Sequence, residues 1–83
     1  MAHTSKHPDP RSDLITYRIR LGLTLREMAR RTGLSAATLY RLERGLIKST
    51  PRSRVRLQDS LGLTADQVHA MLNRSARAKQ HRV

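Results

Sequence analysis

The sequence predicts an all-α domain of five short helices. Three observations carry that prediction. Helix-start residues followed by apolar positions three or four apart recur along the chain, and its 4 glycines each close one such run. No stretch alternates apolar and polar residues with period two, as a half-buried strand would. Large rings are scarce: Tyr17 and Tyr40 are the only aromatics, with Phe 0 and Trp 0. A core of Leu, Ile, Val, Met and Ala suits packed helices better than sheets.

Each element has its own signals. Ser12 is placed to cap a first helix, Asp13 to Leu21, which Gly22 stops. Leu14, Tyr17 and Leu21 share one face of it, and Ile19 widens that face. Thr24 opens a second helix, and Glu27 three residues later makes a capping box. This helix runs to Thr32, where Gly33 supplies the left-handed residue that a sharp reversal needs. Its stripe is Leu25, Met28 and Ala29. Ser35 caps a third helix, Ala36 to Arg44, stopped by Gly45; Leu39 and Leu42 point inward, joined by Leu34 from the turn. Thr50 with Pro51 is an N-cap with proline at the first helical position, opening a fourth helix that ends at Leu61 before Gly62. Val55, Leu57 and Leu61 form its stripe. Thr64 and Gln67 form another capping box and open a fifth helix, to about Ser75, lined by Val68, Met71 and Leu72. The chain thus divides into a flexible, polar lead-in over residues 1–11, a domain over 12–75 and a basic tail over 76–83.

Composition excludes several functions. With 83 residues there is room for a single core. Cys 0 removes a disulfide framework, a zinc–thiolate site and a thiol nucleophile. No apolar run approaches the roughly 20 residues that span a bilayer, and the N-terminus lacks the hydrophobic segment of a secretory signal. An intracellular, cytoplasmic protein associated with the nucleoid is expected. His3 and His7 stand four apart in a proline-flanked polar stretch, a poor metal site, and no metal or cofactor is expected. The 6 acids are dispersed, no nucleophile stands with a base, and no glycine loop cradles phosphate, so an enzyme is not expected.

Charge points to a partner. Lys plus Arg total 17 against 6 acids, a net charge of +11, which calls for a polyanion and first for nucleic acid. RNA and membranes fit less well, because bases lack aromatics to stack on and the apolar stripes are committed to the core. Thr24 to Arg44 is the stretch that fits double-stranded DNA. It is two short helices about Gly33, with a small Ala29 where the second helix crosses. Leu34, Leu39 and Leu42 lock the pair at a fixed angle. Locked in this way, a helix-turn-helix frees the outer face of its second helix for a DNA major groove. Arg41, Arg44, Lys48, Arg52, Arg54 and Arg56 cluster in and after that helix.

The stretch IRLGLTLREMARRTGLSAATLYRLERG resembles the Cro/C1-type (XRE-like) helix-turn-helix family of phage repressors and bacterial regulators. The continuation TPRSRVRLQDSLGLTADQV is similar to that family's fourth and fifth helices, with its joint at Leu61 to Thr64. The resemblance covers roughly Leu14 to Leu72. It implies a compact five-helix domain of the lambda-repressor-like type whose third helix reads DNA. The implied role is that of a small sequence-specific transcriptional regulator of phage, plasmid or bacterial origin. By position, it implies that Ser35, Ala36, Ala37, Tyr40 and Arg41 face the groove, with Thr38 and Arg44 at its edge near phosphates. It also implies a partly buried structural ion pair between Arg18 and Glu43.

The departures from the family pattern shift the expected contacts. The first position of the second helix commonly holds a phosphate-binding Gln; here it is Leu25, and Arg26 is placed to take over that contact. Ala36 and Ala37 cannot hydrogen-bond a base edge, although they can pack on a thymine methyl. Arg41 then becomes the best candidate for a bidentate guanine contact and Tyr40 for a polar or stacking one. Lys48 and Arg52 are the expected phosphate ligands beyond the helix, Arg52 lying near a helix N-terminus that favours anions. Arg30 and Arg31 read as solvated.

Other assignments compete. MerR-like and TetR-like motifs look similar, but a capped helix before the motif and two helices after it favour the Cro/C1 type. A homodimer, formed in solution or only on DNA, would use the fifth helix or the tail, though that helix has little spare apolar surface. No small-molecule ligand is expected. From a different class, the chain fits a protein-interaction module contacting RNA polymerase or another regulator, or an antitoxin-type DNA-binding subunit.

Overall fold

The structure, a computed structural model, describes residues 8–81. Its elements are α1 (Leu14–Arg20), α2 (Leu25–Thr32), α3 (Ala36–Glu43), α4 (Pro51–Leu61) and α5 (Ala65–His81). Every regular element among the described residues is helical. The first seven residues of the expected lead-in, with His3 and His7, lie outside the described residues, as do the last two of the expected tail.

Local chemistry sets most boundaries. In α2 the Thr24 amide donates to Glu27 Oε1 at 2.8 Å and the Glu27 amide to Thr24 Oγ1 at 3.1 Å, a complete capping box. The Thr24 amide, and after it the Thr24 hydroxyl, hold the Glu27 carboxyl below its ordinary value. The Thr64 and Gln67 box is also present, at 2.9 and 3.1 Å. A third box, between Thr50 and Ser53, joins Pro51 at the start of α4. Its Ser53 is buried, at the inward position one turn before Leu57.

Some boundaries and faces differ from the sequence reading. Asp13, not Ser12, caps α1, accepting from the Thr16 amide at 2.9 Å. Ser12 is used one step earlier, its hydroxyl donating to the Asp9 carbonyl at 3.0 Å, so the helix starts later. Helix α5 continues six residues past Ser75 to His81, where a tail was expected. No glycine or proline follows Gly62, and the added turns carry alanines and basic residues, which suit a helix interior and a helix C-terminus. Ile19 and Val55, expected in the core, are 61% and 51% exposed. Leu57, Leu61 and Ser53 set the inward face of α4, and Val55, two residues from both Ser53 and Leu57, turns out to solvent.

Helix α3 is central. It packs on α2, α5 and α1, while α4 closes the other side against α2 and α5. Leu39 and Leu42 are buried with Leu14, Tyr17, Met28 and Met71 in one cluster drawn from all five helices. Two close approaches tie the long α5 to this arrangement. The buried Ser75 hydroxyl accepts from the Leu14 amide at 3.1 Å, joining the start of α1 to α5. Gly45, with φ +68°, lies so near α5 that a Cβ there would fall 2.7 Å from Ala76 Cα.

Candidate nucleic-acid interface

The turn between α2 and α3 is built from three parts. Gly33 has φ +78°, a conformation that a side chain strains. The buried Thr32 hydroxyl donates back to the Met28 carbonyl at 2.8 Å, keeping its polar group satisfied beneath the turn. The Arg56 guanidinium from α4 lies over the glycine, where a Cβ would fall 2.6 Å from its Nη1. Arg56 thus packs on the C-terminal end of α2, the favourable end for a cation. Sequence reasoning saw only a member of a basic run; nothing in the one-dimensional pattern points from residue 56 to residue 33.

Helix α3 then presents two chemically distinct faces. Its inward face is Leu39, Leu42 and Glu43, all buried. Glu43 Oε2 accepts from Arg18 Nε at 2.6 Å and Oε1 from Arg18 Nη2 at 3.3 Å. Arg18 Nη1 also donates to the Leu23 carbonyl at 3.0 Å. The Glu43 side chain is 2% exposed and that of Arg18 16%, so the fork bonds α1, the α1–α2 turn and α3 away from most solvent.

The outward face is Ala36, Ala37, Tyr40 and Arg41, all exposed, with Arg44 half-buried one turn further on. These positions follow the helical repeat of one surface stripe. Ser35 caps α3, accepting from the Thr38 amide at 3.0 Å and donating to the half-buried Thr38 hydroxyl at 2.9 Å. Arg26, Lys48 and Arg52 are exposed and, like Arg41, form no ion pair among the described residues. Arg54 is turned back, its Nη1 donating to the Ser49 carbonyl and hydroxyl at 3.1 and 2.9 Å. The alternating arginines of α4 therefore separate: Arg52 faces solvent, Arg54 braces the linker and Arg56 covers the turn. Arg30 and Arg31 are exposed.

Arg44, at the end of α3, lies against the ring one turn before it. Its Cζ lies 5.1 Å from the Tyr40 ring centroid, a cation–π distance. Its Nε is buried and has no hydrogen-bond partner. An unpaired buried donor costs about 1–3 kcal/mol.

The fold and this face define a class. Residues 14–71 match the model of a helix-turn-helix domain family. That is more than half of the chain, and the chain belongs to this family, of the Cro/C1-type, XRE-like kind, a DNA-binding class. No curated protein and no solved structure matches the chain. None of the described helices is long and apolar enough to cross a membrane.

Proposed function

We propose that the chain is a sequence-specific double-stranded DNA-binding protein, a small transcriptional regulator that places α3 in the major groove. One observation carries this reading: α3 is held by a buried apolar face and the Arg18–Glu43 fork, while Ala36, Ala37, Tyr40 and Arg41 stay exposed on its other side. Arg41 donates to a guanine edge, and the two alanines leave room for thymine methyls. Tyr40 adds a polar or stacking contact. Arg26, Lys48 and Arg52 bind phosphates, with Ser35, Thr38 and Arg44 at the rim of the groove. A net charge of +11 supports a large phosphate contribution, so affinity falls steeply as salt rises.

A second copy extends the site read, because one recognition helix covers only a few base pairs. Selection of bound duplexes from a random pool at near-physiological salt tests the whole reading. An enriched palindrome means a dimeric regulator, and a single short site means a monomer. No enrichment, with binding that vanishes as salt rises, overturns sequence-specific readout.

One observation favours a second reading, a protein-interaction module. Leu46 and Ile47, 51% and 42% exposed, border a cavity of about 540 Å³ between the α3–α4 linker and α5. A partner protein such as RNA polymerase, another regulator or a toxin would seat an apolar side chain there. Duplex binding that salt leaves unchanged, or none at all, would move this reading forward.

A further inference from the structure

We propose that Tyr40 and Arg44 act on DNA as one unit: Arg44 covers the Tyr40 ring in the free protein and leaves it for a phosphate when duplex binds. This rests on the DNA-binding reading above and adds a conformational step to it. The two residues stand one helical turn apart, with the guanidinium carbon 5.1 Å from the ring centroid. Tyr40 is 44% exposed and is the largest side chain on the outward face of α3. Since Ala36 and Ala37 offer no hydrogen bond, the availability of that ring decides much of what the helix can touch.

The stack is built to be exchanged. Stacking engages the face of a guanidinium and leaves its N–H edge to other partners. Here Nε is buried without an acceptor. The adjacent Glu43 carboxylate is turned inward to Arg18 and makes no bond to this Nε. A phosphate oxygen at the rim of the groove offers a charged acceptor that the free protein lacks. A cation–π contact on a half-exposed ring is weak enough to give way to it. The exchange satisfies the arginine and uncovers the ring in a single movement, coupling a phosphate contact to base contact.

The test is the Arg Nε–Hε resonance of the full chain, recorded free and with the duplex enriched by selection, or with a mixed-sequence duplex at low salt if none is enriched. The signal lost in Arg44→Lys assigns Arg44. In the free protein that signal is expected upfield, shifted by the ring current. Tyr40→Ala abolishes the shift and Tyr40→Phe retains it. On duplex addition the signal moves downfield, and Arg44→Ala lowers the salt slope of binding by about one. A free-protein signal with no ring shift, or one that binding leaves unmoved, overturns the exchange alone. Absence of any duplex binding by the parent chain overturns the DNA reading and the exchange with it.

Discussion

Turning α3 about its axis leads from a face on which every group is committed to one on which almost none is. Inward lie Leu39, Leu42 and Glu43, with both carboxylate oxygens bonded to Arg18. Outward lie two alanines, a tyrosine and Arg41, which has no ion-pair partner among the described residues. The same eight residues therefore do two jobs that ask for opposite properties. Holding the helix needs buried, mutually satisfied groups. Reading another molecule needs donors and apolar surface left unused until that molecule arrives.

The largest expected effect breaks the inward face. Glu43→Ala strands the partly buried Arg18 and should destabilise folding by about 3 kcal/mol in chemical denaturation. Glu43→Gln, which keeps an acceptor, should cost less. A loss below about 1 kcal/mol for Glu43→Ala would mean that the fork is not what fixes α3.

Gly45 and Gly62 sharpen the same point at the seam between α3 and α5. Both have φ +68°, but only Gly45 has a backbone neighbour within reach of an added Cβ. Gly62→Ala should cost about 1 kcal/mol from its left-handed conformation. Gly45→Ala should cost about 2–3 kcal/mol, since Ala76 must also move. Equal losses would show that α5 yields freely there.

The outward face should behave oppositely, losing function and keeping stability. Arg41→Ala is expected to leave the melting temperature unchanged and to relax preference at one base pair by about 1–3 kcal/mol. Arg52→Ala should weaken all sequences alike and lower the salt slope by about one. An unaltered preference or slope would remove that side chain from the interface.

The smallest effect concerns pH. Hydrogen bonds from the Thr24 amide and hydroxyl lower the Glu27 carboxyl below its ordinary 4.5. The unfolded chain therefore binds the proton first, and stability rises with pH across that interval. The contribution is complete above 4.5 and is lost as pH falls through the folded value. The difference in melting temperature between the parent chain and Glu27→Ala should be largest near neutrality and shrink in acid. A constant difference would mean that the charge does not matter to the cap.

Much of this was legible one residue at a time. The capping box of Thr24 and Glu27, the left-handed Gly33 and the Thr50–Pro51 start need only neighbours a few positions away. The inward Leu39 and Leu42 of α3 follow from its period, while the outward residues were what the family resemblance implied. The errors have local causes. Asp9 drew Ser12 into its own turn, and Val55, apolar by type, stands on the face of α4 opposite the core.

What the sequence by itself determined is the list of helices, nearly all of their ends, and the apolar residues that α3 turns inward. Those depend on caps, turns and periodicity, which act over four residues or fewer. The pairing of Arg18 with Glu43 was implied by the resemblance, but the tertiary structure alone decided what three other arginines do. Arg44 lies on Tyr40, Arg54 holds the linker and Arg56 covers Gly33. In the sequence these are the same long cation. Its role is set by whatever acceptor, ring or backbone the fold brings within reach of its flexible end.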